Sequence, residues 1–110
     1  MRKPQERLKD ILDAISFIER YAKRGPEAFK NDELIQSWCV RHLQIIGEAA
    51  RALPKNVRDR MSDIPWSDII GMRNILVHDY FDIDIDLTWE AIQRDLPKLK
   101  RAIRRLLADE

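Results

Sequence analysis

The stretch from residue 32 to residue 54, DELIQSWCVRHLQIIGEAARALP, carries the clearest structural signal in the chain. Its apolar residues recur at three- and four-residue steps, the period of one face of an α-helix. That face comprises Leu34, Ile35, Trp38, Leu43, Ile46, Ala49 and Ala50. Asp32 is a suitable N-cap, and Pro54 stops the helix. We therefore predict a helix from about Asp32 to Leu53 with one buried face.

Three further helices are predicted around it. The first ends near Gly25 and carries a stripe of apolar residues: Leu8, Ile11, Leu12, Ile15, Ile18 and Tyr21. The third should cover about Trp66 to His78, with Asp63 as its cap and Pro65 in its first turn. The last should run from about Thr88 to Leu107, with Pro97 bending it and an inward face of Trp89, Ile92, Leu96, Leu99, Ile103 and Leu106. Residues 81–87 alternate apolar and acidic side chains, which predicts an extended connector.

The composition agrees with a single all-α domain over residues 1–110. Charged residues make up 35% of the chain and hydrophobic residues 45%, with 3 Gly and 5 Pro, a balance typical of amphipathic helices. The net charge is +1, so any RNA must bind to a local patch. The basic run at 98–105 is interpreted as a solvated helix face, and Cys39 as a buried reduced thiol. With no secretory signal and no membrane-length apolar run, we expect a cytoplasmic protein.

A second stretch, GMRNILVHDY at residues 71–80, suggests chemistry. Arg73, Asn74 and His78 are polar side chains in an otherwise apolar helix, and each would need a partner if it were buried. On an ideal helix Arg73 and His78 lie about 140° apart, so they can meet only if the helix unwinds, the arginine wraps around, or two subunits contribute. The ordinary explanation, a surface Arg, a capping His and a Tyr packed in the core, remains open.

Cleavage of RNA without a metal gives these residues a role. The reaction needs a base for the 2′-hydroxyl, an acid for the leaving oxygen, and a cation for the phosphorane. Histidine and arginine supply these groups, but His42 is interpreted as a partly exposed packing residue, which leaves only His78 in each chain. An isologous homodimer would bring two copies into one cleft. The chemistry therefore predicts a dimer.

Metal and cofactor sites find little support in the sequence. Asp82, Asp84 and Asp86 imitate a calcium loop, but Leu87 and Gln93 stand where its glycine and bidentate glutamate belong. A divalent ion on a few of these carboxylates remains the less favoured alternative to a solvated acidic segment. We predict no metal site and no cofactor.

The spacing Arg73, four residues, His78, one residue, Tyr80 resembles the motif of the HEPN superfamily, and the tyrosine narrows the resemblance to the HepT-like toxins of MntA–HepT modules. Four blocks extend it over most of the chain: residues 11–19, 40–49, 64–74 and 95–97. The resemblance implies an up-and-down bundle of four to five helices, a homodimer, and metal-independent cleavage of RNA such as tRNA or mRNA. Arg73 and His78 would be catalytic, with Asn74 and Asp79 supporting them.

The resemblance also implies a protein partner. An MNT-type nucleotidyltransferase antitoxin would neutralise the toxin by transferring AMP to Tyr80, where the added phosphate would compete with RNA. Two alternatives stay open: a non-catalytic helical partner that binds nucleotide beside a nucleotidyltransferase, with Arg73 clamping phosphate, and a purely structural dimerisation bundle.

Overall fold

The computed structural model describes residues 3–75 and 84–109, leaving out the side chains of residues 73–75. All regular elements in these ranges are α-helices: α1 (Pro4–Ala22), α2 (Pro26–Asn31), α3 (Glu33–Ala52), α4 (Lys55–Asp59), α5 (Trp66–Ile75) and α6 (Ile85–Ala108). The predicted all-α class is confirmed. The four longest helices correspond to the four predicted ones, whereas the short helices α2 and α4 lie in segments for which the sequence analysis predicted no helix.

The core lies between the long helices, where α1 packs against α3 and α6, and α3 packs against α5. The predicted stripe of α1 is confirmed, with Leu12 and Tyr21 half-buried at its edges. Leu34 was wrongly assigned to the buried face of α3, since its side chain is 82% exposed. It is rotated by about 140° around the helix from the fully buried Cys39 and so faces solvent.

The N-terminal ends of the helices follow local hydrogen bonding. Asp32 caps α3 as predicted, its carboxylate accepting from the backbone of Leu34 at 2.9 Å. Helix α5 begins directly after Pro65, whose carbonyl accepts from the N–H of Ile69 at 3.0 Å, so Pro65 rather than Asp63 stands at the cap position. Its predicted extent to His78 lies outside the described residues.

Helix α6 starts earlier than predicted, at Ile85 instead of Thr88. The carboxylate of Asp84 accepts from the N–H of Leu87 at 2.9 Å and caps the helix, and the Thr88 hydroxyl donates to the Asp84 carbonyl at 2.6 Å. The prediction of an extended connector is therefore wrong for residues 85–87, because an aspartate that caps a helix favours the helix more than a short period-two pattern favours an extended strand. Residues 81–83 lie outside the described part. Helix α6 continues through the exposed Pro97 to Ala108.

Two further observations complete the fold. Cys39 is fully buried as predicted, and burial raises the pKa of its thiol to about 11. None of the helices in the described ranges is both long and apolar enough to cross a membrane.

Candidate functional site

Helix α5 carries the start of the Arg73/His78 motif and is held at its N-terminal end by Trp66. The indole N–H of Trp66 donates to the carbonyl of Met61 at 3.0 Å and to that of Arg58 at 3.1 Å. Further along the helix, Ile69 and Met72 are buried in the core. These contacts tie α5 to α4 and to the turn that follows it, so the backbone bearing the motif arginine starts from a defined position.

The predicted site residues divide into two groups. Arg73 and Asn74 are consecutive residues near the end of α5, which places their backbones together on this helix. His78, Asp79 and Tyr80 lie outside the described residues. Their assigned roles, and the meeting of Arg73 with His78, therefore stay predictions.

The helix that follows the motif is also well anchored. Asp84 caps α6, and Thr88, whose hydroxyl bonds to the Asp84 carbonyl, is fully buried. One residue later, the ring of Trp89 contacts that of Phe29 with 5.2 Å between ring centroids, which joins α6 to α2. The motif stretch thus connects two helices that each have their own attachment to the core.

His42 is more buried than expected. The sequence analysis assigned it as a partly exposed packing residue, but its side chain is only 8% exposed. It stacks on Phe17, with ring centroids 5.0 Å apart, and meets the edge of Trp38 at 4.6 Å. Burial, with a smaller contribution from the positive charge of Arg41, lowers its pKa. His42 is therefore neutral at pH 7 and acts as an aromatic packing residue.

The surroundings of His42 form a surface cluster that the sequence analysis missed. The indole N–H of Trp38 donates to the carbonyl of Phe17 at 2.8 Å. Arg20 lies over the Phe17 ring at 5.3 Å, and Arg24 lies over the Tyr21 ring at 5.0 Å. The four-residue spacing of Phe17 and Tyr21 on α1 was the available signal, because such residues share one side of a helix.

No part of the described chain offers a ready metal centre: within residues 3–72 and 84–109, no three His, Cys, Asp or Glu side chains are grouped to hold an ion. The polar surface near the start of α6 carries Asp84 and Asp86, which belong to the acidic segment considered above. Asp84 serves as a helix cap there, and Asp86 lies 4.0 Å from the ammonium of Lys30.

Comparison with known proteins places the chain in a family. Residues 11–106 match the family described as Ribonuclease HepT-like. A protein from Caldanaerobacter subterraneus subsp. tengcongensis with the name "Putative RNase" is 38% identical over 111 residues, which cover 100% of this chain and 99% of that protein. The "Probable ribonuclease HepT" of Thermococcus cleftensis is 34% identical over 106 residues, 96% of each chain. This chain spans 46% of a longer Methanocaldococcus jannaschii relative, a "Gamma-glutamylcyclotransferase and putative RNase", at 38% identity.

The fold has a counterpart among solved structures. The tri-AMPylated Shewanella oneidensis HEPN toxin, solved in complex with MNT antitoxin, superposes with a TM-score of 0.69 over 100% of both chains at 22% identity. At this identity the likeness shows that the two chains share a fold. The match along residues 11–106 establishes that the chain belongs to the ribonuclease HepT-like family.

Proposed function

We propose that this protein is the toxin of a toxin–antitoxin module and acts as a metal-independent endoribonuclease. The observation that carries the proposal is the family match, which spans the sequence positions of Arg73 and His78. The ribonuclease names of its relatives support the same activity. Its substrate would be a cytoplasmic RNA such as tRNA or mRNA.

The proposed chemistry follows from the two motif side chains. One His78 takes the proton from a ribose 2′-hydroxyl, whose oxygen attacks the adjacent phosphorus. The bond from phosphorus to the 5′-oxygen breaks, and His78 of the second subunit returns a proton to that leaving oxygen. The guanidinium of Arg73 stabilises the charge that builds on the phosphorane, and two of its N–H groups can donate in parallel to the phosphate oxygens. Asn74 and Asp79 would support the orientation of His78.

This mechanism requires a homodimer, and one surface of the described chain favours it. Leu34 and Ile45 on α3 are 82% and 37% exposed, although both are large apolar side chains. They lie about 20° apart around the helix axis and thus form one stripe. Phe17 of α1 is exposed beside it. Burial of this stripe against its symmetry mate would give an isologous interface of the kind that pairs two active sites.

An MNT-type nucleotidyltransferase is the proposed partner, and transfer of AMP from ATP to Tyr80 is the proposed means of neutralisation. Support comes from the Shewanella toxin, which shares this fold and was solved AMPylated and bound to such an antitoxin. The added phosphates would stand close in sequence to Arg73 and His78 and would repel an RNA phosphate.

The decisive experiment measures RNA cleavage by the purified wild type and by His78→Ala. We expect the variant to lose about two to four orders of magnitude in rate while it keeps its helical circular dichroism spectrum. Wild-type cleavage should persist in EDTA, since imidazole and guanidinium carry the reaction. Cleavage that stops in EDTA and returns with magnesium would refute the mechanism.

The same experiment distinguishes the ribonuclease function from the alternative function, that of a non-catalytic helical partner that binds nucleotide. A wild type that leaves RNA intact but binds ATP in an Arg73-dependent manner would favour it. For the AMP acceptor, wild type and Tyr80→Phe are incubated with ATP, magnesium and the nucleotidyltransferase, and intact mass is measured. Only the wild type should gain AMP, and a Phe variant that gains as much would exclude Tyr80.

A further inference from the structure

A basic groove lies between the last turns of α6 and the turn that follows α4. It encloses about 420 Å³ and is bordered by four cations, Arg60, Lys98, Arg101 and Arg105, and by two carboxylates, Asp63 and Asp109. Four positive against two negative charges leave the groove at +2, whereas the whole chain carries only +1. The positive charge of the protein is therefore locally concentrated here.

The shape of the groove is set by buried contacts. Met61 and Leu106 line it and are 6% and 4% exposed, so they belong to the core and form a firm apolar floor. The wall that contains Arg60 and Met61 is held by the hydrogen bonds from Trp66 to the carbonyls of Arg58 and Met61. A fixed floor with charged residues around it suits a ligand that has both anionic and apolar parts.

The cations of the groove lack the partners that neutralise other basic residues nearby. On the same helix, Arg94 pairs with Glu90 at 2.6 Å, and Lys100 pairs with Glu19 at 2.9 Å. Across the described residues, no carboxylate lies within 4.0 Å of any of the four groove cations. Their charge is therefore available to an external anion.

The helix dipole accounts for only part of this pattern. Cations in the last turn of a helix are favourable, which explains Arg105 without any ligand. Lys98 and Arg101 stand two to three turns before the end of α6, where the dipole effect has faded. Arg60 comes from a different segment of the chain. The three α6 cations also fall within about 60° of arc, so they face the same side of the helix.

We infer that this groove binds backbone phosphates of the RNA that the protein cleaves, at a distance from the bond that breaks; the inference rests on the proposed ribonuclease function. RNA fits because it offers several phosphates in a row and bases that can contact an apolar floor. Lys98 and Arg105 are about 10 Å apart along α6, enough for more than one phosphate.

The groove and the motif are close enough to share one RNA strand. Trp66, bonded to the groove residue Met61, begins α5, and the Arg73 backbone lies about 10 Å further along that helix. This spacing corresponds to about three stacked nucleotides at 3.4 Å for each step. A dinucleotide has one internucleotide phosphate, the one that is cleaved, so it has none left for the groove, whereas an oligonucleotide of about ten residues has phosphates for both places. The groove should therefore affect binding of long substrates and leave cleavage of a dinucleotide unchanged.

The test compares two double variants with the same loss of charge. R101Q/R105Q removes two groove cations, and K9Q/R51Q removes two exposed cations elsewhere as the control. Binding of a fluorescent 20-nucleotide single-stranded RNA is measured at 50–200 mM salt in a His78→Ala background, where the RNA stays intact. Loss of two phosphate contacts lowers the salt slope by about 1.4, so the affinity ratio of parent to groove variant should shrink about sevenfold over this range. The control should keep the parent's slope.

The same two double variants are then made in the active protein, and their RNA cleavage is measured. R101Q/R105Q should raise the KM for the 20-mer about tenfold, keep kcat, and leave dinucleotide cleavage unchanged. A groove variant with the parent's salt slope and KM would overturn the inference. The inference would also fail if the groove variant bound RNA normally but no longer formed the dimer or no longer bound the nucleotidyltransferase. The groove would then be a protein–protein interface. If the wild type binds RNA through the groove but never cleaves it, the proposed function fails and the groove assignment stands.

Discussion

The bridging indole of Trp66 offers a quantitative test of how the motif helix is held. Trp66→Phe keeps an aromatic ring in place but removes the N–H that joins α5 to the carbonyls of Arg58 and Met61. Trp89 provides a matched control, since its ring is also half-buried and no described residue accepts a hydrogen bond from its indole. Trp89→Phe therefore reports the loss of ring size alone.

The expected cost is about that of one hydrogen bond. A single N–H is shared between two acceptors, so it cannot count as two full bonds. Neither carbonyl becomes unpaired, because the Arg58 carbonyl still accepts from the N–H of Met61 at 3.0 Å and the Met61 carbonyl from the N–H of Ile64 at 3.1 Å. We therefore expect Trp66→Phe to lower the free energy of unfolding by about 1 kcal/mol more than Trp89→Phe does.

Urea unfolding at one fixed protein concentration measures this difference, since an oligomer's stability depends on concentration. The corresponding gap in melting temperature should be about 4 °C. Trp66→Phe should also weaken RNA binding at the basic groove, whose wall contains Met61, and Trp89→Phe should not. Equal unfolding free energies for the two variants would refute the claim that the indole bridge holds α5 to the α4 turn.

Four further outcomes are expected. Asp84→Ala and Asp32→Ala should each lower the free energy of unfolding in urea by about 1 kcal/mol, because each removes a helix cap. Only Asp84→Ala should slow RNA cleavage, because α6 begins just after the motif, and equal effects of the two variants on cleavage would contradict this. The lowered pKa of His42 adds stability that is present above pH 6.5 and is lost as the pH falls through the folded-state value; His42→Gln should remove this dependence between pH 8 and 5. The Cys39 thiol, with its pKa raised to about 11, should resist iodoacetamide at pH 8 until urea unfolds the protein, and rapid labelling of the native protein would contradict its burial. The free energy of unfolding should also decline as the pH rises from 9 to 11. Leu34→Glu should shift sedimentation from dimer toward monomer at unchanged helicity, through a loss of about 2 kcal/mol of apolar burial, and an unaltered dimer would move the interface elsewhere.

Local features of the sequence predicted most of the helical framework. The apolar period located α1, α3 and most of α6, and the chemistry of Asp32 located one helix end, because both depend on residues within a few positions of each other. The same local reasoning failed at 85–87, where a capping Asp84 extended the helix through an alternating segment. The family resemblance rested on spacing as well, namely that of Arg73, His78 and Tyr80.

Only the tertiary structure decided which parts of each face are covered. Periodicity shows that Leu34 and Trp38 share a side of α3, but a neighbouring helix determines that Leu34 stays 82% exposed while His42, one turn beyond Trp38, is buried under Phe17. The sequence also could not predict that Arg60 lies beside the cations of α6, since about forty residues separate them along the chain. A helical pattern reports the direction of each side chain about its own axis, whereas burial and charge clustering depend on contacts between segments that are distant along the chain.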